Sequence, residues 1–189
     1  MTSRFGILAV CTANLCRSPM IEILLSDGLD KRFFEVASAG IRAFPDTLMD
    51  DMAAMEVERL GHDPTEFSSQ PVSEALIRSA DLVLTATRDH RSTILQTEPA
   101  ALHKTFTLLE FAGLVPQFEA IDLPELVEGA ARIRGRGPRD VDIQDPFRLE
   151  PAIHRSVADQ IAAATVTIAG QLNTIVHNNP EAELRTHRS

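Results

Sequence analysis

Hydrophobic and polar positions follow two rhythms along this chain. Phe5-Gly6-Ile7-Leu8-Ala9-Val10 is a near-continuous apolar run, the pattern of a parallel strand covered on both faces. Shorter β-rich runs recur at Phe33–Ser38, Asp81–Ala86 and Thr105–Leu109. Between them, apolar residues return every three or four positions, which predicts helices over Ser18–Asp27, Thr47–Leu60, Ser73–Ser79, Arg88–Gln96 and Leu123–Arg132. The clearest stripe runs from Pro151 to about Val176 through Ile153, Val157, Ile161, Ala164, Ile168, Leu172 and Ile175. Strands alternating with helices predict an α/β fold of three layers, a four-stranded parallel sheet with helices on both faces. Both rhythms fail between Ile133 and Asp145, where a polar, glycine-broken stretch reads as a surface loop. They fail again beyond His177. The chain therefore divides into one domain over residues 1–178 and a polar, frayed tail over 179–189.

Candidate chemistry concentrates where the first strand ends. Cys11-Thr12-Ala13-Asn14-Leu15-Cys16-Arg17-Ser18-Pro19 reads as a strand, a tight loop and a helix start, with Pro19 suited to the first helical turn. Five residues between Cys11 and Arg17 let the chain curl once, so that successive N–H groups converge on a tetrahedral oxyanion at a helix N-terminus. That end of the helix and the guanidinium both favour thiolate over thiol at Cys11. Cys11 and Cys16 have the separation of a zinc pair, but no second pair follows, and the neighbouring arginine would repel a cation. No metal and no cofactor are expected.

This segment resembles the loop of the low-molecular-weight protein tyrosine phosphatases, matching it at Cys11, Asn14, Cys16, Arg17, Ser18 and Pro19. The resemblance implies that Cys11 attacks phosphorus and that Arg17 clamps two equatorial oxygens. It also implies that Ser18 donates to the thiolate and Asn14 holds the loop's shape, while Thr12, Ala13, Leu15 and Cys16 complete the phosphate cradle. Asp145, in Asp145-Pro146-Phe147, matches the family's Asp-Pro-aromatic motif and is implied to be general acid and then general base. Asp140 and Asp142 lie close by but precede no proline. Ser38, in Ser38-Ala39-Gly40, is implied to position Asn14, while Phe44 and Phe147 are placed to sandwich a substrate ring. Three departures stand out. Ala13 occupies a glycine position, where a positive φ would store about 1 kcal/mol of strain. Phe67 replaces a histidine that contacts the loop asparagine, and the segment from about Pro116 to Val141 looks longer than usual, suggesting an added helix and a lid-like loop. Cys16 has two readings of equal weight, a partner for oxidised Cys11 and a loop-packing residue.

Composition narrows the class. A chain of 189 residues that is 44% hydrophobic suits one α/β unit. Its apolar runs stop well short of the ~18 residues of a membrane span, and Met1-Thr2-Ser3-Arg4 leads into a strand rather than a signal peptide. Two cysteines and a thiolate site point to a reducing, cytoplasmic setting. Net charge −9 argues against nucleic acid as a partner, and no membrane partner is expected. The expected partners are a phosphotyrosine-bearing protein and phosphate or another oxyanion in the loop. With no tyrosine in the chain, control by phosphorylation of its own tyrosines is ruled out. His62, His90, His103, His154, His177 and His187 show no metal-ligand spacing and receive no catalytic role; Asp89-His90-Arg91, near the carboxyl edge of the sheet, has two readings, a lining of the site's rim and, preferred, a solvated helix start. Two rivals remain. One is an arsenate reductase using an external small thiol, since no later cysteine exists to relay oxidation. The other is a non-catalytic phosphate-binding module, against which the intact Cys11, Arg17 and Asp145 argue.

Overall fold

A computed structural model of the chain describes residues 4–178. Four parallel strands, β1 (Phe5–Cys11), β2 (Phe34–Gly40), β3 (Leu82–Thr85) and β4 (Thr105–Thr107), form one sheet in the order β2-β1-β3-β4. Around it lie α1 (Arg17–Gly28), α2 (Asp51–Arg59), α3 (Glu74–Ser79), α4 (Arg88–Thr97), α5 (Leu108–Leu114), α6 (Leu123–Arg132) and α7 (Pro151–Asn178). Side chains of β1 alternate between two cores, as the pleat demands. Phe5, Ile7 and Ala9 join the larger core with α1, α2, α5, α6 and α7, while Leu8 and Val10 join the smaller one with α3 and α4. The expected three-layer architecture is therefore present. The predicted stripe of α7 faces the larger core, with Ile161, Ile168 and Leu172 fully buried.

Several boundaries move for physical reasons. β4 stops at Thr107, because Thr107 and Glu110 form a capping box that starts α5, a helix the hydrophobic pattern left inside the strand and the following stretch. α2 starts at Asp51, not Thr47: Asp50 caps it by accepting from Ala53 N–H, and Asp46 has a positive φ of 58°. The long segment after Pro116 supplies α6, as its own helical pattern predicts, flanked by single 3-10 turns at Val115–Gln117 and Arg134–Arg136. The segment from 133 to 145 is not a loose loop. Val141 and Ile143 are buried, and Ile143 N–H donates to Ala86 O at 2.9 Å beside β3. The predicted 179–189 tail lies outside the described residues.

Candidate active site

The loop from Cys11 to Arg17 joins the carboxyl end of β1 to α1, the edge where ligands bind in open parallel sheets. Its backbone is held from outside. Carbonyls of Cys11, Thr12 and Leu15 accept from the N–H groups of Ile41, Arg42 and Asp50. Because C=O and N–H point oppositely across a trans peptide, the N–H groups of Thr12, Ala13 and Cys16 turn the other way, into the loop. A Cβ on Gly40 would lie 2.8 Å from Asn14 N and Thr12 O, so only glycine lets the end of β2 pack against the loop. The positive φ falls on Asn14, at 57°, and not on Ala13. Ala13 therefore carries no left-handed strain, and the expectation of strain there is corrected: asparagine, which tolerates this region, takes the turn.

Asn14 is fully buried and anchored three ways. Its Oδ1 accepts from Gln70 N–H at 2.9 Å, which fixes the amide's orientation, and its Nδ2 donates to Ser38 Oγ at 2.7 Å and Ser18 Oγ at 2.9 Å. Ser38 Oγ in turn donates to the Glu22 carboxylate at 2.6 Å, and burial pushes that carboxyl above its ordinary value. Ser18 Oγ, accepting from Asn14, lies 2.9 Å from Cys11 Sγ and has its own hydrogen for the sulfur. Phe67 packs into the main core and does not reach Asn14; Gln70 supplies the contact instead.

Cys11 opens onto a cavity of about 230 Å³ lined by Thr12, Ala13, Leu15, Cys16, Arg17, Asp145 and Phe147. Larger hollows elsewhere, such as one of about 510 Å³ at the opposite end of β1, contain no cysteine. Arg17 is 5% exposed at its side chain. Its Nη1 donates to Ile143 O at 3.1 Å and its Nη2 to Asp145 Oδ2 at 2.6 Å, while its buried Nε has no partner. Asp145, half-exposed, thus sits on the guanidinium at the mouth of the cavity. Its neighbour Asp142 is engaged elsewhere, accepting from Arg88 backbone N–H and from its guanidinium, which holds that carboxyl below the ordinary range.

Phe44 departs from its predicted place, and Cys16 takes the second of its two readings. Phe44 is 82% exposed and does not line the cavity, so only Phe147 stands beside it. Cys16 is packed in the main core, and burial pushes its thiol far up. A third group was missed. His90 is not a solvated helix start but 5% exposed, with Nε2 at 2.9 Å from Thr12 Oγ1 and Nδ1 at 2.8 Å from Thr87 Oγ1. Burial first, then the positive charge of Arg17, holds it down to about 4, so it is neutral at physiological pH. The only sequence signal was its place one turn into the helix after β3. Among the described residues no group of three or more His, Cys, Asp and Glu is placed to hold a metal ion, and no helix is long and apolar enough to cross a membrane.

A buried cysteine and arginine sharing one cradle at the end of a parallel sheet, with a carboxylate at its mouth, define a phosphatase of the cysteine type. Residues 6–132 match the family described as low molecular weight phosphotyrosine protein phosphatase. A protein-arginine-phosphatase of Geobacillus stearothermophilus is 32% identical over 170 residues, 90% of this chain and 97% of that one. The low molecular weight protein-tyrosine-phosphatase Ptp of Acinetobacter johnsonii is 36% identical over 108 residues, 57% and 75% of the two chains. Among solved structures, Vibrio vulnificus Wzb in complex with benzylphosphonate superposes with a TM-score of 0.69 at 27% identity, covering 90% of this chain and 100% of that one. The chain belongs to the low molecular weight phosphotyrosine protein phosphatase family and is a phosphatase.

Proposed function

We propose that this enzyme hydrolyses phosphotyrosine on proteins through a phospho-cysteine. Asp145, displaced from Arg17 by the phosphoryl group, takes a proton from solvent; Cys11 Sγ, as thiolate, then attacks phosphorus while the phenolic oxygen leaves, and Asp145 gives that oxygen its proton. Asp145, now a carboxylate, takes a proton from the water that attacks the phospho-cysteine, releasing phosphate and the thiolate. Arg17 Nε and Nη2 hold the equatorial oxygens and Ser18 Oγ donates to the sulfur. The observation that carries this reading is the unpartnered Nε of a nearly buried arginine lining the same cavity as Cys11. A thiolate nucleophile works in reducing surroundings, which supports a cytoplasmic location.

Substrate choice follows from the cavity wall. Ala13, Leu15 and Phe147 offer apolar surface to an aryl ring, a reading supported by a relative solved in complex with benzylphosphonate, which carries such a ring. Phosphoarginine is the second reading, favoured by the relative that covers most of the chain. Its extra N–H donors would find only one carboxylate on the wall, Asp145, which the reaction requires as the acid. Assays on matched phosphotyrosyl and phosphoarginyl peptides decide between them. The expectation is at least about tenfold higher kcat/KM for phosphotyrosine, a difference of ~1.4 kcal/mol in transition-state binding. Reversed preference sinks the tyrosine assignment, turnover surviving Cys11→Ser sinks the covalent route, and thiol-dependent arsenate reduction outpacing ester hydrolysis sinks both.

A further inference from the structure

The buried imidazole of His90 touches the phosphate loop yet takes no part in the chemistry above. We infer that His90 is a positioning residue, donating from Nε2 to Thr12 Oγ1 and so aiming the Thr12 hydroxyl hydrogen at an oxygen of the bound phosphoryl group. This rests on the phosphatase reading and adds a donor to it.

The hydrogen bonds around Thr87 fit one direction best. Thr87 Oγ1 caps α4 by accepting the backbone N–H of His90 at 3.3 Å, and its own hydrogen has an acceptor at 2.8 Å in His90 Nδ1. Nδ1 is then the lone-pair nitrogen, which leaves the ring hydrogen on Nε2, 2.9 Å from Thr12 Oγ1. Arg17 Nη2 also donates to Thr12 Oγ1, at 3.4 Å. With two donors filling its lone pairs, the Thr12 hydroxyl keeps one hydrogen, and Thr12 lines the cavity that Cys11 opens onto. A dianionic phosphoryl group in that cavity accepts it. The opposite tautomer would turn the Thr12 hydrogen back onto the ring and present only an oxygen lone pair to the anion. Nearby carboxylates do not overturn the neutral state: Asp145, Asp89 and Asp142 pull the other way but are outweighed by burial and by Arg17, and Asp142 is committed to Arg88.

Two measurements test this. In wild-type enzyme with inorganic phosphate bound, nitrogen-15 spectra of the imidazole are expected to show His90 protonated at Nε2; protonation at Nδ1 overturns the inference without any variant. In a double-mutant cycle, Thr12→Val is expected to weaken phosphate inhibition and lower kcat/KM about tenfold, and His90→Leu by about three- to tenfold. His90→Gln, which keeps an N–H donor, should recover most of the loss. In the Thr12→Val background, His90→Leu should cost nothing more. Full additivity, or equal losses for Leu and Gln, overturns it. Wild-type enzyme that fails to hydrolyse aryl phosphate instead refutes the phosphatase reading itself, so the two failures are distinguishable.

Discussion

The two halves of the active site are built in opposite ways. The phosphate loop is one contiguous stretch, Cys11 to Arg17, tied by its own Asn14 and Ser18, by the end of β2 and by backbone bonds from Ile41, Arg42, Asp50 and Gln70. Asp145, the proposed acid, arrives at the end of a strap fixed by distant partners: Val141 and Ile143 are buried, Ile143 bonds to Ala86, Asp142 to Arg88, and Asp145 itself to Arg17. A motif can therefore declare the loop, because the residues that make the chemistry also make the shape. The strap declares only its chemical residue. Its position depends on pairings 54 to 128 residues apart.

The sharpest test of this division is Asp145→Asn, expected to slow aryl phosphate turnover by roughly 10²–10⁴ and to remove one limb of the pH–rate profile. Inorganic phosphate should bind the variant at least as tightly, since Arg17 loses a competing carboxylate; weaker phosphate inhibition would show that the two halves are not separable. Gly40→Ala strikes the loop instead. The new methyl meets backbone, not a flexible side chain, so about 1–3 kcal/mol of stability and about 100-fold in kcat/KM should be lost, with phosphate affinity falling in parallel. If only kcat fell, the loop would be tolerating the displacement.

Acid unfolding gives a third effect, read on stability alone. His90 is held down to about 4 in the fold, against an ordinary value of 6.5, so between these limits the unfolded chain takes up a proton that the folded one refuses. Stability should therefore fall by up to ~1.4 kcal/mol per unit as pH drops from about 6.5 toward about 4, and flatten for this group below that. Urea midpoints across the window, compared with His90→Gln, isolate the contribution; parallel curves for the two proteins would mean that His90 is not the group involved. Smallest is Arg88→Ala, which unpins the strap. This exposed pair contributes at most about 1 kcal/mol, so kcat should drop by no more than about fivefold with phosphate inhibition unchanged.

The sequence carried much of this, unevenly. The apolar run of β1, the stripe of α7 and the Cys11–Arg17 spacing were legible because each is a local pattern. α5 was also signalled, by Thr107 and Glu110 at capping-box spacing, but the apolar Leu108 and Leu109 between them read as strand. His90 was legible only by its place near the carboxyl edge of the sheet: Asp89-His90-Arg91 is polar, and only the packing of α4 against the loop buries the imidazole. Phe44 shows the reverse error, an aromatic expected at the cavity that stands in solvent. Val141 and Ile143 are two isolated apolar residues in a polar run, too few to form a period, yet they decide where the acid stands.

The contact between Arg17 and Asp145 means that this enzyme carries a built-in placeholder for its own substrate. On the proposed mechanism an arriving phosphate ester bids for the same guanidinium nitrogen and, by taking it, frees the carboxyl to pick up the proton that the departing oxygen needs. Occupancy and readiness to react are thereby linked through a single side chain, without a moving domain.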